Sequence, residues 1–259
     1  MSDLMVLLPP SETKTRGGEL PPVDLDDLAF ADQQRAAREQ VTTWLETLCK
    51  NHDRARQVLG LTAKQAEAIH ANAELTDART MLALERYTGV LYSALHADDL
   101  SATARSWSAA HVYVQSALWG IISVGDSIPE YRLSAGLKKS ALDLGAVWHE
   151  VGSAVLADSL AAGRGVLDLR SKAYAALAPL PHHEHAVWVE VVTRSADGAT
   201  RALNHFNKQA KGQLVRALAE HGDKDAPANG DVWSDVRAAA ATFGAEFELG
   251  APGSAQLII

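Results

Sequence analysis

Leu4-Met5-Val6-Leu7-Leu8-Pro9-Pro10-Ser11-Glu12-Thr13-Lys14 stands near the start of the chain and sets the reading of the rest. Five apolar residues closed by two prolines read as a buried strand, because proline cannot extend a strand ladder. The polar stretch after it, through Gly17-Gly18, reads as a loop, and Pro21-Pro22 keep the chain irregular until about Leu25. A loop bearing hydroxyls and a lysine at the carboxyl end of a strand lies where open α/β sheets hold their ligands.

Further strands are expected at His111–Gln115, which alternates with period two, at Gly165–Leu169, at Ala186–Thr193 and late in the chain at Ala245–Leu249. Trp119–Ser123 reads as either a strand or a packed turn. Helices are expected over Asp32–Lys50, Asp98–Ala110, Leu142–Ala162, Thr200–His221 and Val232–Thr242, with helical turns at Met81–Arg86 and Lys172–Ala178. Tyr87–Tyr92 changes to a β-branched and aromatic mixture, and Asp197-Gly198 is a turn signal. Residues 53–73 read as two short helices joined at Gly60, the second opening on a capping box of Thr62 and Gln65. Strands and helices mix throughout, without repeats or a linker. The expectation is one α+β (mixed α/β) domain over residues 1–259, with a central mixed sheet surrounded by helices and an inserted helical pair.

The 259 residues are 47% hydrophobic and 22% charged, which excludes wholesale disorder. With 24 basic and 32 acidic residues the net charge is −8. That argues against a broad nucleic-acid-coating surface and leaves room for a local basic patch. The single cysteine, Cys49, excludes an intrachain disulfide framework and a Cys-rich zinc site, and fits a reducing compartment. Leu4–Leu8 is too short for a signal core or a membrane span, so a cytoplasmic protein is expected.

Several groups carry chemistry. Around Gly60, which can take a positive φ, Lys50, Arg54, Arg56 and Lys64 face one acid, Asp53. A hairpin of this kind can hold phosphate on the free N–H groups opening its second helix; an ordinary charged corner has the same residues. Thr62 stands where such hairpins usually carry a second glycine. Ser11, Thr13, Lys14, Thr15 and Arg16 suit a phosphate or carboxylate, although the spacing of a Walker loop is absent, and a solvated loop has the same residues. Arg132 either holds an anion or pairs internally with Asp126, the internal pair being the expectation. On the late helix Arg201, His205 and Lys208 share a face, followed by Lys211, and such a stripe is ordinarily the wet side. His182-His183-Glu184-His185 lacks the spacing that converges on one ion, so no metal site is expected.

Five stretches together resemble the YaaA family of peroxide stress proteins. They are Leu7–Lys14, Tyr87–Tyr92, Ser116–Gly120 continuing through Asp126, Ile128-Pro129 and Tyr131-Arg132-Leu133, Asp168–Ser171 with Tyr174, and His205–Gly212 with Lys208 and Lys211. In the last stretch Gln209 and Lys211 replace commoner choices. The resemblance implies a mixed α/β domain with a helix-hairpin-helix element and a cytosolic location. It also implies double-stranded DNA binding and survival of hydrogen peroxide by limiting free iron.

Two functions follow as expectations. In the first, Arg54, Arg56, Gly60, Thr62 and Lys64 grip duplex backbone, while Lys14, Arg132, Lys208 and Lys211 contact phosphates. In the second, Ser11, Lys14, Tyr131, Arg132, Ser171, Tyr174, Lys208 and Lys211 line a pocket for a small anionic or nucleotide-like substrate, with no reaction assigned and no cofactor expected. A non-catalytic interaction role for the acidic Asp24–Asp32 stretch ranks below both.

Overall fold

The computed structural model describes residues 3–195, 200–202, 206–222 and 232–259. The chain begins with β1 (Leu4–Leu8), α1 (Ala31–Cys49), α2 (His52–Leu59) and α3 (Glu67–Ala73). Next come β2 (Met81–Leu82), α4 (Ala83–Arg86), α5 (Val90–Leu95) and α6 (Ala102–His111), then β3 (Val112–Ser116), β4 (Gly120–Ser123) and β5 (Ser127–Ile128). The second half holds α7 (Leu144–Ala161), β6 (Gly165–Asp168), α8 (Lys172–Ala175), β7 (Ala186–Arg194) and β8 (Thr200–Ala202). It ends with α9 (Asn207–Gly222), α10 (Val232–Ala241), β9 (Glu246–Leu249) and β10 (Ser254–Ile258).

The main sheet has the order β4-β3-β1-β6-β7-β10-β9, with β8 on β7. Five central strands, β3, β1, β6, β7 and β10, run parallel, while β4, β8 and β9 are antiparallel additions. This is the mixed sheet that the sequence predicts, in an α+β arrangement. Every residue of β1 is buried because helices cover both faces. Met5 and Leu7 pack with Leu156 and Leu160 of α7 on one side. Leu4, Val6 and Leu8 join the larger core, which includes Leu214 of α9 and Trp233 of α10. The edge at β4 is closed by α1. Gln34 donates from Nε2 to the Ile121 carbonyl and accepts from its N–H, at 2.9 and 2.8 Å, imitating a further strand. Among the described residues no helix is long and apolar enough to cross a membrane.

Topology places the site. The chain leaves β1 toward β3 and leaves β6 toward β7, in opposite directions across the sheet. A crevice therefore opens at the carboxyl ends of β1 and β6, between the Pro9–Lys14 loop and the Leu169–Ser171 loop.

Several elements differ from expectation. Thr200–Ala202 forms a strand on the exposed edge of β7 and is not helical, so the late helix begins at Asn207. Hydrogen bonding to Val192–Arg194 overrides the local preference. Val90–Leu95 is a helix, and Met81-Leu82 pairs with β5 before the helical turn α4. Ser254–Ile258, for which no element is expected, is an interior strand. Asp197-Gly198 and His205 lie outside the described residues.

Candidate functional site

Lys14 stands at the centre of the crevice. Its backbone bridges to Tyr87, which turns the loop after β1 inward. Its Nζ donates to the Ser11 carbonyl at 2.9 Å and lies 4.0 Å from the Tyr131 ring centre and 5.4 Å from that of Tyr87. Behind these rings runs a hydroxyl chain. Ser116 Oγ accepts from the N–H groups of Leu118 and Trp119, so its own hydrogen points to Tyr131 Oη at 2.8 Å. Tyr131 Oη in turn meets Tyr87 Oη at 2.8 Å. Burial raises both phenols well above the usual range, so they stay protonated. Burial also lowers the Lys14 ammonium to about 7, a shift that Glu12 opposes and Arg132 reinforces.

Arg132 sits at the mouth. Its Nη1 donates to the Glu12 carbonyl at 3.1 Å and its Nη2 faces the Glu12 carboxylate at 3.6 Å. The expected Arg132–Asp126 pair does not form. Asp126 instead accepts from the N–H groups of Ala29 and Ser123, tying the turn after β4 to the start of α1. Asn72 of α3 brackets the Arg132 backbone from both sides, accepting from its N–H at 2.8 Å and donating to its carbonyl at 2.9 Å. The α2–α3 hairpin is thus fastened to the site it borders. Tyr174 of α8 is held by Ser134 and the Ala135 backbone, and burial pushes its phenol up to about 12.

Two adjoining hollows, together the cleft, lie between these groups and the hairpin. A hollow of about 420 Å³ is bordered by Gly60, Leu61, Gln65, Arg132 and Lys138, and a smaller one of about 170 Å³ by Lys14, Arg16, Lys64 and Tyr131. The two share Glu12, Gln65 and Arg132. Five cations and three acids line the cleft, a positive balance on a chain of net −8. Arg16 pairs with Glu67, whereas Lys64 and Lys138 make no ion pair among the described residues.

At the hairpin, Gly60 has φ 63° and ends α2, with Leu61 N–H reaching back to the Arg56 carbonyl. A Cβ there would meet nothing within 4 Å, so the face beside Gly60 is open. The second half differs from expectation. A 3-10 turn over Ala63–Gln65 precedes the short α3, and Thr62 N–H already donates to Gln65 Oε1 at 2.9 Å. The capping contact forms, but it consumes one of the donors expected to hold an anion. Arg54 and Arg56 are exposed on α2, and Arg54 faces an adjoining groove with Trp44 and Leu48.

Ser171, Lys208 and Lys211 belong to a second cavity of about 400 Å³. The loop after β1 divides the two spaces, Pro9 lining one and Glu12 the other. The sequence reading puts Lys211 on a wet helix face, but it is 5% exposed, because α9 packs this turn against α5 and β7. Burial lowers its ammonium to about 8, with Asp168 and Glu190 pulling the other way. Arg201 lies on β8 and shares no helix face with Lys208. The histidines at 182, 183 and 185 are exposed in the loop before β7, where His183 Nδ1 accepts from the His185 N–H.

Sequence reasoning does not single out Tyr87, Lys138, Lys172 or Trp188 as site residues. Trp188 carries the clearest missed signal, a large aromatic in the strongest strand of the chain.

Fold and cleft together define a class: a mixed sheet covered on both faces, with a cationic crevice where two parallel strands diverge. Comparison with known proteins makes this specific. The family model described as peroxide stress protein YaaA matches residues 4–228, and the chain belongs to that family. An UPF0246 protein of Corynebacterium efficiens is 39% identical over 245 residues, covering 92% of this chain and 94% of that protein. One from Streptomyces coelicolor is 41% identical over 222 residues, covering 85% and 84%. A more distant one from Lactobacillus delbrueckii subsp. bulgaricus is 29% identical over 230 residues, covering 84% and 86%. Membership supports a role in peroxide stress.

Proposed function

We propose that this peroxide stress family member binds double-stranded DNA without sequence preference, through the phosphate backbone, and limits iron-dependent damage at the DNA it covers. One observation carries the reading: the cleft that runs from the open face of Gly60 to Lys14 collects five cations on an otherwise acidic chain. Such local concentration suits contacts that position a backbone without reading bases. Arg132, Lys64 and Lys138 meet phosphates, and the α2–α3 hairpin follows the strand as a helix-hairpin-helix element. The setting is cytoplasmic.

The test is fluorescence anisotropy of a labelled duplex titrated with the protein across a salt series. Log affinity should fall linearly with log salt, and Arg132→Ala and Lys64→Ala should each reduce the slope by about one. Unchanged affinity and slope in both variants would remove the cleft from DNA binding.

A second reading, chemistry on a small anionic substrate, draws on the two enclosed amines at Lys14 and Lys211, held near 7 and 8. A metabolite retained by the purified protein would favour it.

A further inference from the structure

The second cavity has a built character that duplex binding does not use. Its wall is Trp188 of β7, fixed by an Nε1–H donated to the Arg170 carbonyl at 3.0 Å. Two ammonium groups lie close to this ring, Lys172 at 5.8 Å and Lys211 at 5.9 Å from its centre. Lys172 is exposed at the mouth and free to adapt. Lys211 is buried, and among the described residues its Nζ has neither a hydrogen bond nor a salt bridge.

Asp168, the buried carboxylate among the described residues, favours the charged Lys211 only from a distance, because its oxygens are committed to Arg170. Asp168 accepts from Arg170 Nε at 2.8 Å, from Arg170 Nη2 at 2.6 Å and from the Arg170 N–H at 2.9 Å. Apart from that closed pair, Glu190 is the acid on the lining, against Lys172, Lys208 and Lys211. An enclosed cation without a partner is costly unless something anionic completes it. The rest of the lining sets an apolar side, from Pro9, Leu91 and Leu169, beside the neutral polar Ser171 and Asn207. About 400 Å³ is within the range of small-molecule sites, larger than a bare phosphate needs and far too small for a duplex.

We propose that this cavity binds a phosphate monoester with a flat organic part, of mononucleotide size. The phosphate is held among Lys211, Lys172 and Lys208, and the organic part lies against Trp188, Leu91 and Pro9. Charge selects the phosphate, while the aromatic and aliphatic wall selects against inorganic anions. The site is separate from the duplex cleft and stands or falls independently of it.

Isothermal titration calorimetry of the full chain with adenosine monophosphate, adenosine and inorganic phosphate tests this. The monophosphate should bind at least ten-fold more tightly than either fragment. Lys172→Ala should weaken it several-fold, and Lys211→Met should abolish measurable binding. Lys172→Ala, at an exposed position, cannot fail merely by unfolding, and its affinity for a duplex should stay within two-fold of the parent. A 5′-phosphorylated oligonucleotide that displaces the monophosphate would identify the natural source as a strand end, and failure to displace would identify a free nucleotide; either upholds the site. Monophosphate affinity no better than that of inorganic phosphate, or unaltered by Lys172→Ala, overturns it.

Discussion

The Lys14 ammonium lies 4.0 Å from the centre of the Tyr131 ring, and its hydrogen-bond acceptor is the Ser11 carbonyl, not a carboxylate. The ring and the carbonyl compensate only part of the lost hydration, which is why burial lowers this amine to about 7. In the unfolded chain a lysine titrates near 10.4. Between those two values Lys14 holds more protons in the unfolded chain than in the folded one, so its contribution to folding stability rises with pH through that window and is flat below it. Lys14→Met, which keeps the volume and discards the charge, should be more stable than the parent at pH 6 by about 1–3 kcal/mol. Urea unfolding at pH 6, 8 and 10 measures it. A variant whose stability parallels the parent at all three values would show that Lys14 is well solvated.

Glu12 sets the charge of the cleft, because both hollows share it and it faces the Arg132 guanidinium at 3.6 Å. An exposed pair of this kind contributes about 0.2–1 kcal/mol, so Glu12→Gln should leave the melting temperature nearly unchanged. Its effect on DNA should be larger. With the carboxylate gone, Arg132 is free for a phosphate, and duplex affinity at low salt should rise roughly two- to five-fold with a steeper salt dependence. In an Arg132→Ala background the same change should bring a smaller gain. Anisotropy titrations of the two single variants and the double variant give this coupling directly.

The sequence made the frame legible and the partition illegible. Leu4–Leu8 and Ala186–Arg194 announce themselves because central parallel strands are apolar on both sides. Ser254–Ile258 occupies an equally interior place, but Ser254 and Gln256 interrupt it and only Ala255, Leu257 and Ile258 are buried, so the run is too short to stand out. Thr200–Ala202 has no local strand signal, since its conformation comes from the free edge of Val192–Arg194. Ser11, Lys14, Tyr131 and Arg132 are readable as a group because all four follow closely on Pro10 or Pro129, prolines that mark loops after strands. Lys208 and Lys211 join a different cavity, a division decided by where the Pro9–Thr13 loop passes. Helical spacing cannot show that one of two neighbouring lysines is buried beside a tryptophan.

Gly212 marks the closest approach of α9 to α5, and so fixes the height of Lys211. A Cβ there would lie 2.1 Å from the Leu91 carbonyl oxygen and 3.0 Å from the Leu95 nitrogen, both backbone atoms that cannot step aside. Alanine normally favours a helix over glycine by about 0.5–1 kcal/mol. Here overpacking should outweigh that gain, for a net loss of about 2–3 kcal/mol. Gly212→Ala should therefore lower the melting temperature by roughly 4–10 °C in a calorimetric scan. An unchanged or raised melting temperature would mean that α5 and α9 can separate freely.

Cys49 bears on the peroxide role, since a thiolate is the form that peroxide oxidises. This cysteine is fully buried at the last turn of α1, and burial pushes its thiol up to about 11. At neutral pH the thiolate fraction is on the order of one in ten thousand, and solvent does not reach the sulfur. The folded protein should therefore resist iodoacetamide at pH 8, with modification followed by intact mass, while the same protein in urea reacts to completion. Cys49→Ala should leave duplex affinity within two-fold of the parent and cost about 1 kcal/mol through the small void it opens. Rapid alkylation of the native chain, or loss of DNA binding after brief hydrogen peroxide treatment that Cys49→Ala prevents, would make this thiol a sensor and overturn its reading as packing.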